Sequence, residues 1–327
     1  MNQMQHDKIR GVLYGVAVGD ALGAPVEFMS AESIKAEHGR VTEMLGGGWL
    51  NVSPGEVTDD TQMTLCVARG IRKNPKAPVE DIGVNFIDWA CGGPKDIGAT
   101  CALSITKAQK IGMESGRLYR PSYSDWMQAS NEADKAMGGR SAGNGSLMRT
   151  AYVPCFYYDE NEIAERAIAI STMTHYSEEA AEACAFYCRT IARMLNRKTH
   201  GTRLDVFRRE VRNSEYKIAL DPGFKPNPTG YVRDSLLAAI WSIQQGTRLS
   251  TDFYAAVEAA VNLGGDADTI GAITGGLAGA LCGYNKIPER WVNKLSESLR
   301  EELDSLAYAA EEAREQAKRE LDNAAHR

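Results

Sequence analysis

Two oxygen-rich clusters lie far apart in the chain: Thr58, Asp59, Asp60 and Thr61 in GEVTDDTQM, and Asp266, Asp268 and Thr269 in GGDADTIGA. Each follows Gly-containing loop sequence and opens a run with helical periodicity, so each places its carboxylates where the chain enters a helix. Together they offer four carboxylates and three hydroxyls. Hard divalent cations such as Mg²⁺ or Mn²⁺ take an all-oxygen set of this kind, with water completing the shell. Without a cation, clustered carboxylates repel one another and their pKa values rise. Two bridged ions would relieve that repulsion and create a hydrolytic centre. Taken singly, either cluster also reads as a helix cap, with Thr58 or Asp59 accepting hydrogen bonds from the first free N–H groups. The D-x-D string lacks the downstream Gly and Glu of an EF-hand loop.

The elements that must position these clusters read as helices almost throughout. Ile9, Val12, Leu13, Val16 and Ala17 follow a helical spacing, as do Met63, Leu65, Cys66 and Ile71. The runs 163–172, 180–195, 232–243 and 253–263 repeat it, and strand-like alternation is limited to 41–45 and 152–157. The predicted fold is all-α: one compact orthogonal multi-helix bundle over residues 1–327, with a dinuclear metal site at helix N-termini. The run 270–282 carries Gly271, Gly275, Gly276 and Gly279 despite the helix penalty of glycine. Small residues at this spacing allow close backbone approach, so this helix is expected at the bundle centre with Asp266 and Asp268 at its entrance. A final helix is expected from Glu289 to about Asn323, with Leu295, Leu299, Leu303 and Leu306 on one stripe and a solvated, charged end beyond Tyr308. The loops 46–57, 92–99, 138–146 and 221–230 hold most Gly and Pro residues, and loops on a rigid scaffold are where function concentrates.

Composition narrows the function. A net charge of −6 with interspersed signs offers no basic stripe for nucleic acid. The N-terminus lacks the apolar core of a signal peptide, and the longest uncharged run, 269–285, falls short of a membrane span. Seven scattered cysteines point to free thiols in a reducing cytoplasm. Cys184 and Cys188 share a helix face, but no nearby Cys or His pair completes a zinc site. In the S-A-G-N-G-S loop, Ser141, Gly143, Asn144, Gly145 and Ser146 offer N–H groups and short hydroxyls that suit a diphosphate. No Gly-Lys-Ser/Thr string follows, so this is not a P-loop.

GVAVGDALGAPVE, GEVTDDTQM, PKDIGAT, GNGSLMR and GGDADTIGAITGGLAGA occur in the order seen in the ADP-ribosylglycohydrolase family, across residues 11–283. The chain resembles that family, and within it the bacterial type that activates dinitrogenase reductase. The resemblance implies an all-helical fold, a centre of two divalent cations (Mg²⁺ or Mn²⁺), and hydrolysis of the glycosidic bond joining ADP-ribose to a protein side chain. Thr58, Asp59, Asp60, Asp266, Asp268 and Thr269 match the family's metal ligands. Glu27 matches a carboxylate placed beside the metals, and Asp96 one placed over the distal ribose; these are the catalytic candidates. His175 matches a histidine near the ribose or adenine, and Tyr231 offers a ring for adenine stacking. Ala142 stands where relatives often carry an aromatic, and Asp20 is assigned a structural role.

The expected activity is metal-dependent release of ADP-ribose from a modified protein, with arginine as the linked side chain. The expected protein is a cytoplasmic monomer whose partner is that ADP-ribosylated substrate. Two other classes fit the same residues: a dinuclear phosphohydrolase of a nucleotide diphosphate, and a catalytically silent ADP-ribose-binding protein.

Overall fold

The computed structural model describes residues 3–117, 119–196, 201–246 and 252–325. The helices are α1 (Gln3–Gly23), α2 (Ala31–His38), α3 (Asp59–Lys73), α4 (Val79–Cys91), α5 (Ala99–Glu114), α6 (Tyr123–Ala136), α7 (Val153–Phe156) and α8 (Glu160–Thr172). They continue as α9 (Glu178–Asn196), α10 (Arg203–Arg212), α11 (Val232–Gly246), α12 (Phe253–Val261), α13 (Ala267–Cys282), α14 (Glu289–Val292) and α15 (Glu297–Ala325). No strand forms among the described residues, in keeping with the all-α class expected from the sequence. One contiguous hydrophobic cluster runs from Ile9 to Ala310.

α13 is buried from Ala267 to Leu281, which places it at the centre as expected. Its partner is α1, buried continuously over residues 11–23. The two run antiparallel, with Gly11 against Gly279, Gly15 against Gly275, Gly19 against Gly271 and Gly23 against Ala267. A Cβ placed on Gly15 would lie 2.1 Å from the Gly275 carbonyl oxygen, and one on Gly275 would lie 1.9 Å from that of Gly15. Only glycine permits this backbone contact, so the entropic cost of glycine in a helix is offset by burial. α1 is also the one described helix long and apolar enough to cross a bilayer, but 94% of that window is buried in the protein. An all-round apolar helix here is core rather than membrane span.

Three sequence expectations are corrected. Residues 41–45 form no strand, because the Asn262 carboxamide satisfies Val41 on both sides: Val41 N–H donates to Oδ1 (2.9 Å) and Nδ2 donates to the Val41 carbonyl (3.0 Å). The alternating piece 152–157 is instead the short helix α7, packed with Val153, Pro154, Cys155 and Phe156 buried. The C-terminal helix breaks between Val292 and Glu297, where the Ser296 hydroxyl accepts from the N–H of Leu299. Its leucine stripe is buried as predicted, but docking continues past Tyr308 through fully buried Arg314, which donates to the carbonyls of Pro154 and Tyr157 and to Asn196.

The α1–α13 seam leaves no room for a methyl group. Gly15→Ala or Gly275→Ala is therefore expected to lose about 3 kcal/mol of stability, the upper end for overpacking, in urea unfolding monitored by circular dichroism. A loss below about 1 kcal/mol would show that the helices separate easily and that the seam does not organise the fold.

Candidate active site

The antiparallel seam sets Asp20, near the end of α1, beside the start of α13. Buried Asp20 then captures the start of α3. It accepts from Thr58 N–H (3.0 Å) and Oγ1 (2.9 Å), and from Thr61 N–H (3.1 Å) and Oγ1 (2.5 Å). This supports the structural role assigned to Asp20: it pulls the two acidic strings together. Thr58 Oγ1 lies 3.3 Å from Asp60 Oδ2 and 3.5 Å from Asp268 Oδ2, and Thr269 Oγ1 lies 3.3 Å from Asp60 Oδ2. Neither Thr58 nor Asp266, the residues at the two cap positions, makes a side-chain cap bond. The helix-cap reading of the clusters therefore fails.

Two glycines bring the remaining walls in. Gly264 and Gly265, at φ +71° and +63°, pass so close to Met29 and Pro228 that a Cβ would strike their carbonyls. Gly265 N–H donates to Met29 O (2.8 Å) and Asp266 N–H to Pro228 O (3.1 Å), anchoring the Glu27–Met29 turn and the 221–230 loop to the head of α13. The result is a cavity of about 400 Å³ lined by Glu27, Asp59, Asp96, Asp266, Asp268 and Thr269 together with Gly143, Asn144, Gly145 and His175. A larger groove of about 850 Å³, lined by residues such as Arg189, Arg193 and Glu210, has no such carboxylate cluster.

The sequence candidates divide accordingly. Asn144 donates to Asp266 Oδ2 (2.6 Å) and Ser235 Oγ (2.9 Å), so it braces the acidic cluster. His175 is buried, and the cost of charging it there, with Arg149 nearby, pushes its pKa down to about 3. Its Nδ1 pairs with Thr174 Oγ1 at 2.8 Å, and that hydroxyl already accepts from Arg149. Nδ1 is then the natural acceptor, which leaves neutral His175 with an Nε2–H donor beside Gly143 and Gly145.

Ser141 and Ser146 are corrections. The Ser141 hydroxyl donates to Asp134 (2.7 Å), and Ser146 accepts from Ser171 (2.9 Å) with Cys184 beside it. Both hydroxyls face the interior and hold the loop from behind, leaving only its backbone and Asn144 toward the cavity. Tyr231 does not line the cavity either. Its ring is 40% exposed and its hydroxyl donates to Glu179 (2.5 Å), while its backbone bridges Gly143.

The electrostatics of the cluster suit a bound cation. Burial comes first among the causes that push Asp59, Asp60 and Asp268 well above the carboxylate range, with neighbouring carboxylates adding to it. Burial likewise pushes Asp20 up to about 6 and Glu27 up to about 7, although donors to each oppose the rise. Asp96 and Asp266 are raised as well, again by burial. None of these seven carboxylates forms an ion pair among the described residues. Oxygens of Asp20, Asp60 and Asp268 lie within 4.8 Å of one another, as do those of Glu27, Asp266 and Asp268. Asp60 Oδ1 is buried with no hydrogen-bond partner. Two carboxylate triads that share Asp268, one of them holding the orphaned Asp60 oxygen, are a donor set that a hard divalent cation fits.

Sequence reasoning missed two further parts of this site. Trp49 donates its indole N–H to Glu27 Oε2 at 2.6 Å, and Arg149, in GNGSLMR, braces the glycine loop through the Gly145 carbonyl at 3.2 Å. The GGGWL string could have signalled the first, since three glycines before an aromatic mark a shaped loop.

The profile of the family described as ADP-ribosylglycohydrolase matches residues 1–320. The chain belongs to the ADP-ribosylglycohydrolase family. It is 33% identical over 315 residues to the ADP-ribosyl-[dinitrogen reductase] glycohydrolase of Rhodospirillum rubrum, covering 93% of this chain and 97% of that one. It is 29% identical to an ADP-ribosylarginine hydrolase of Serratia proteamaculans, over 94% of this chain and 80% of that one. Among solved structures it resembles an ADP-ribosylglycohydrolase-related protein complex, with a TM-score of 0.75, 30% identity, and coverage of 95% and 99% of the two chains. As a member of this glycohydrolase family, the chain is a hydrolase.

The raised carboxylates make the glycohydrolase's stability depend on pH with a definite sign. Groups whose folded pKa exceeds the unfolded value bind more protons when folded, so stability falls as pH rises through that interval. In EDTA the thermal midpoint is expected to drop between about pH 4, the ordinary carboxylate value, and about pH 7, where Glu27 titrates. Mg²⁺ or Mn²⁺ should restore it, and Asp60→Asn should flatten the EDTA profile. A midpoint independent of pH in EDTA and unmoved by either metal would refute the repulsion described here.

Proposed function

We propose that this glycohydrolase hydrolyses the N-glycosidic bond between ADP-ribose and a protein arginine side chain, using two divalent cations, Mg²⁺ or Mn²⁺. The observation that carries the reading is the pair of carboxylate triads sharing Asp268, one of which lines the cavity through Glu27, Asp266 and Asp268, with Asp60 Oδ1 of the other unpartnered. Asp59, Asp60, Asp266 and Asp268, with Thr58 and Thr269, would hold the ions. When bound, such ions supply Lewis acidity and lower the pKa of a coordinated water.

The protein's own groups do the rest. The Gly143–Gly145 backbone, the His175 Nε2–H and the half-buried Asp96 would orient the diphosphate and the distal ribose. Departure of guanidine leaves oxocarbenium-like charge on the sugar, which the surrounding carboxylates favour. Glu27, pushed up to about 7, sits near the working pH, where a carboxyl both gives and takes a proton efficiently. Trp49 occupies Oε2, so Oε1 is the oxygen left for that transfer. Arginine linkage is supported by the relative that acts on ADP-ribosylarginine. Seven unpaired cysteines support a reducing, cytoplasmic setting.

The test is a product assay by mass spectrometry on arginine- and serine-ADP-ribosylated peptides. Intact ADP-ribose should appear from the arginine peptide, and excess EDTA should abolish its release. Release of AMP or phosphate would support a phosphohydrolase instead, and full activity in EDTA would exclude the metal centre. Glu27→Gln should keep metal and ADP-ribose binding yet lose roughly 10²-fold in turnover, the scale of acid–base catalysis. Asp96→Asn should lose turnover and ribose affinity together. Wild-type single-turnover rates in Glu27→Gln would remove Glu27 from the chemistry.

A further inference from the structure

Phe28 directly follows Glu27 and lines the cavity, yet 68% of its surface is exposed. Trp49, 52% exposed, lies with its ring centroid 5.4 Å from that of Phe28, at an interplanar angle of 41°. Core packing explains neither ring. Both are nevertheless held firmly in place. Phe28 adopts φ +64°, a strained conformation for a residue with a side chain, and its N–H is fixed to Gly265 O at 2.7 Å. Trp49 rides on a small loop closed by paired backbone bonds between Gly47 and Val52 (2.8 and 2.9 Å). Leu50 and Val52 of that loop pack with Ala24, and Lys95 ties it to the Asp96 loop through Asn51 O and Glu56. Strain that persists in a well-braced segment beside a catalytic group points to function.

The charge around the pair selects its ligand. The cavity wall beside Phe28 carries Glu27, Asp59, Asp96, Asp266 and Asp268, and no Lys or Arg lines it among the described residues. A planar, weakly hydrated cation gains on both counts: its face stacks on exposed rings and its charge meets Glu27 and Asp96, the two wall carboxylates not assigned to the ions. We propose that Phe28 and Trp49 form the docking platform for the arginine side chain of the modified protein, seating its guanidinium on the ring faces at the carboxylate end of the cavity. This rests on the arginine-hydrolase reading above and extends it to the leaving group. Trp49 serves twice, since the indole that stacks also holds Glu27 Oε2 at 2.6 Å. It thus positions the proton-handling carboxyl relative to the leaving group.

The test uses the full chain loaded with Mn²⁺, an arginine-ADP-ribosylated peptide for kinetics, and ADP-ribose for calorimetry. Phe28→Leu keeps bulk but loses the π-face, and should raise KM for the peptide about fivefold to tenfold, as for a lost cation–π contact, with ADP-ribose affinity unchanged within about twofold. Trp49→Phe keeps a ring but loses the N–H, so kcat should fall while KM changes little. Thermal midpoints of both variants should match the wild type. Parallel loss of ADP-ribose affinity in Phe28→Leu would overturn the proposal by showing that the rings hold the nucleotide. Unchanged kinetics in both Phe28→Leu and Phe28→Ala would overturn it by showing an inert surface. A wild-type enzyme that binds ADP-ribose but leaves the arginine peptide intact would overturn the arginine-linkage reading along with it, an outcome separate from either variant result.

Discussion

The contact between α1 and α13 is the constraint on which the site depends. Four glycine-level approaches bring two helix backbones into direct contact, so neither helix can slide or rotate without a clash. That register fixes Asp20 on one helix against Asp266 and Asp268 on the other. Asp20 in turn takes both N–H and hydroxyl donors from Thr58 and Thr61 and holds the start of α3. A cluster built from three chain segments is thereby located by one backbone seam and one buried carboxylate. Metal centres demand ligand placement to fractions of an ångström, and a seam without flexible side chains supplies rigidity of that order.

The cluster this seam creates is electrostatically incomplete by itself. Buried carboxylates without cationic partners are tolerated only when something compensates them, since burial and mutual repulsion both oppose ionisation. The hydroxyls of Thr58 and Thr269 donate into the cluster but carry no charge, and Asp60 Oδ1 has no donor. Buried cations exist in this protein, yet they serve elsewhere. Arg149 binds carbonyls behind the glycine loop and stacks on Phe86, and Arg314 clamps α15 to α7 and α9. Among the described residues no Lys or Arg lines the cavity, so its carboxylates could hold a divalent ion without competition from the chain's own cations.

Much of this was legible in the sequence, for identifiable reasons. Helical periodicity is a local signal, so α8, α9, α11, α12 and α13 follow the predicted runs. The acidic strings are recognisable only as a pair and within the family motifs, since either one alone also reads as a helix cap. What failed was long-range or directional. Gly271, Gly275 and Gly279 announce a close contact, but nothing local to them says that Gly11, Gly15, Gly19 and Gly23, far earlier in the chain, supply the other side of it. Ser141 and Ser146 belong to a loop whose composition suits a diphosphate, yet composition cannot say which way a hydroxyl turns, and Asp134 and Ser171 claim both. The charged stretch after Tyr308 looked solvated because a single buried arginine among glutamates has no periodic signature.

The reorientation of those serines clarifies how the cavity reads its ligand. With the hydroxyls turned inward, and the Asn144 side-chain amide committed to Asp266 and Ser235, the loop turns its glycine backbone and one imidazole N–H toward the cavity. The loop is rigid: the Asn144 N–H is taken by Gly230 O at 3.0 Å, and Gly143 pairs with Tyr231. Hydroxyl rotors would adapt to many anions, whereas fixed N–H groups favour one geometry and spend no ordering entropy when a ligand arrives. The same economy governs the opposite wall, where Trp49 and Phe28 are held by backbone bonds and a strained φ rather than by packing. A site assembled this way is preorganised on both sides, so on the proposed reading binding energy would go into placing the glycosidic bond over the carboxylates instead of closing the cavity around it.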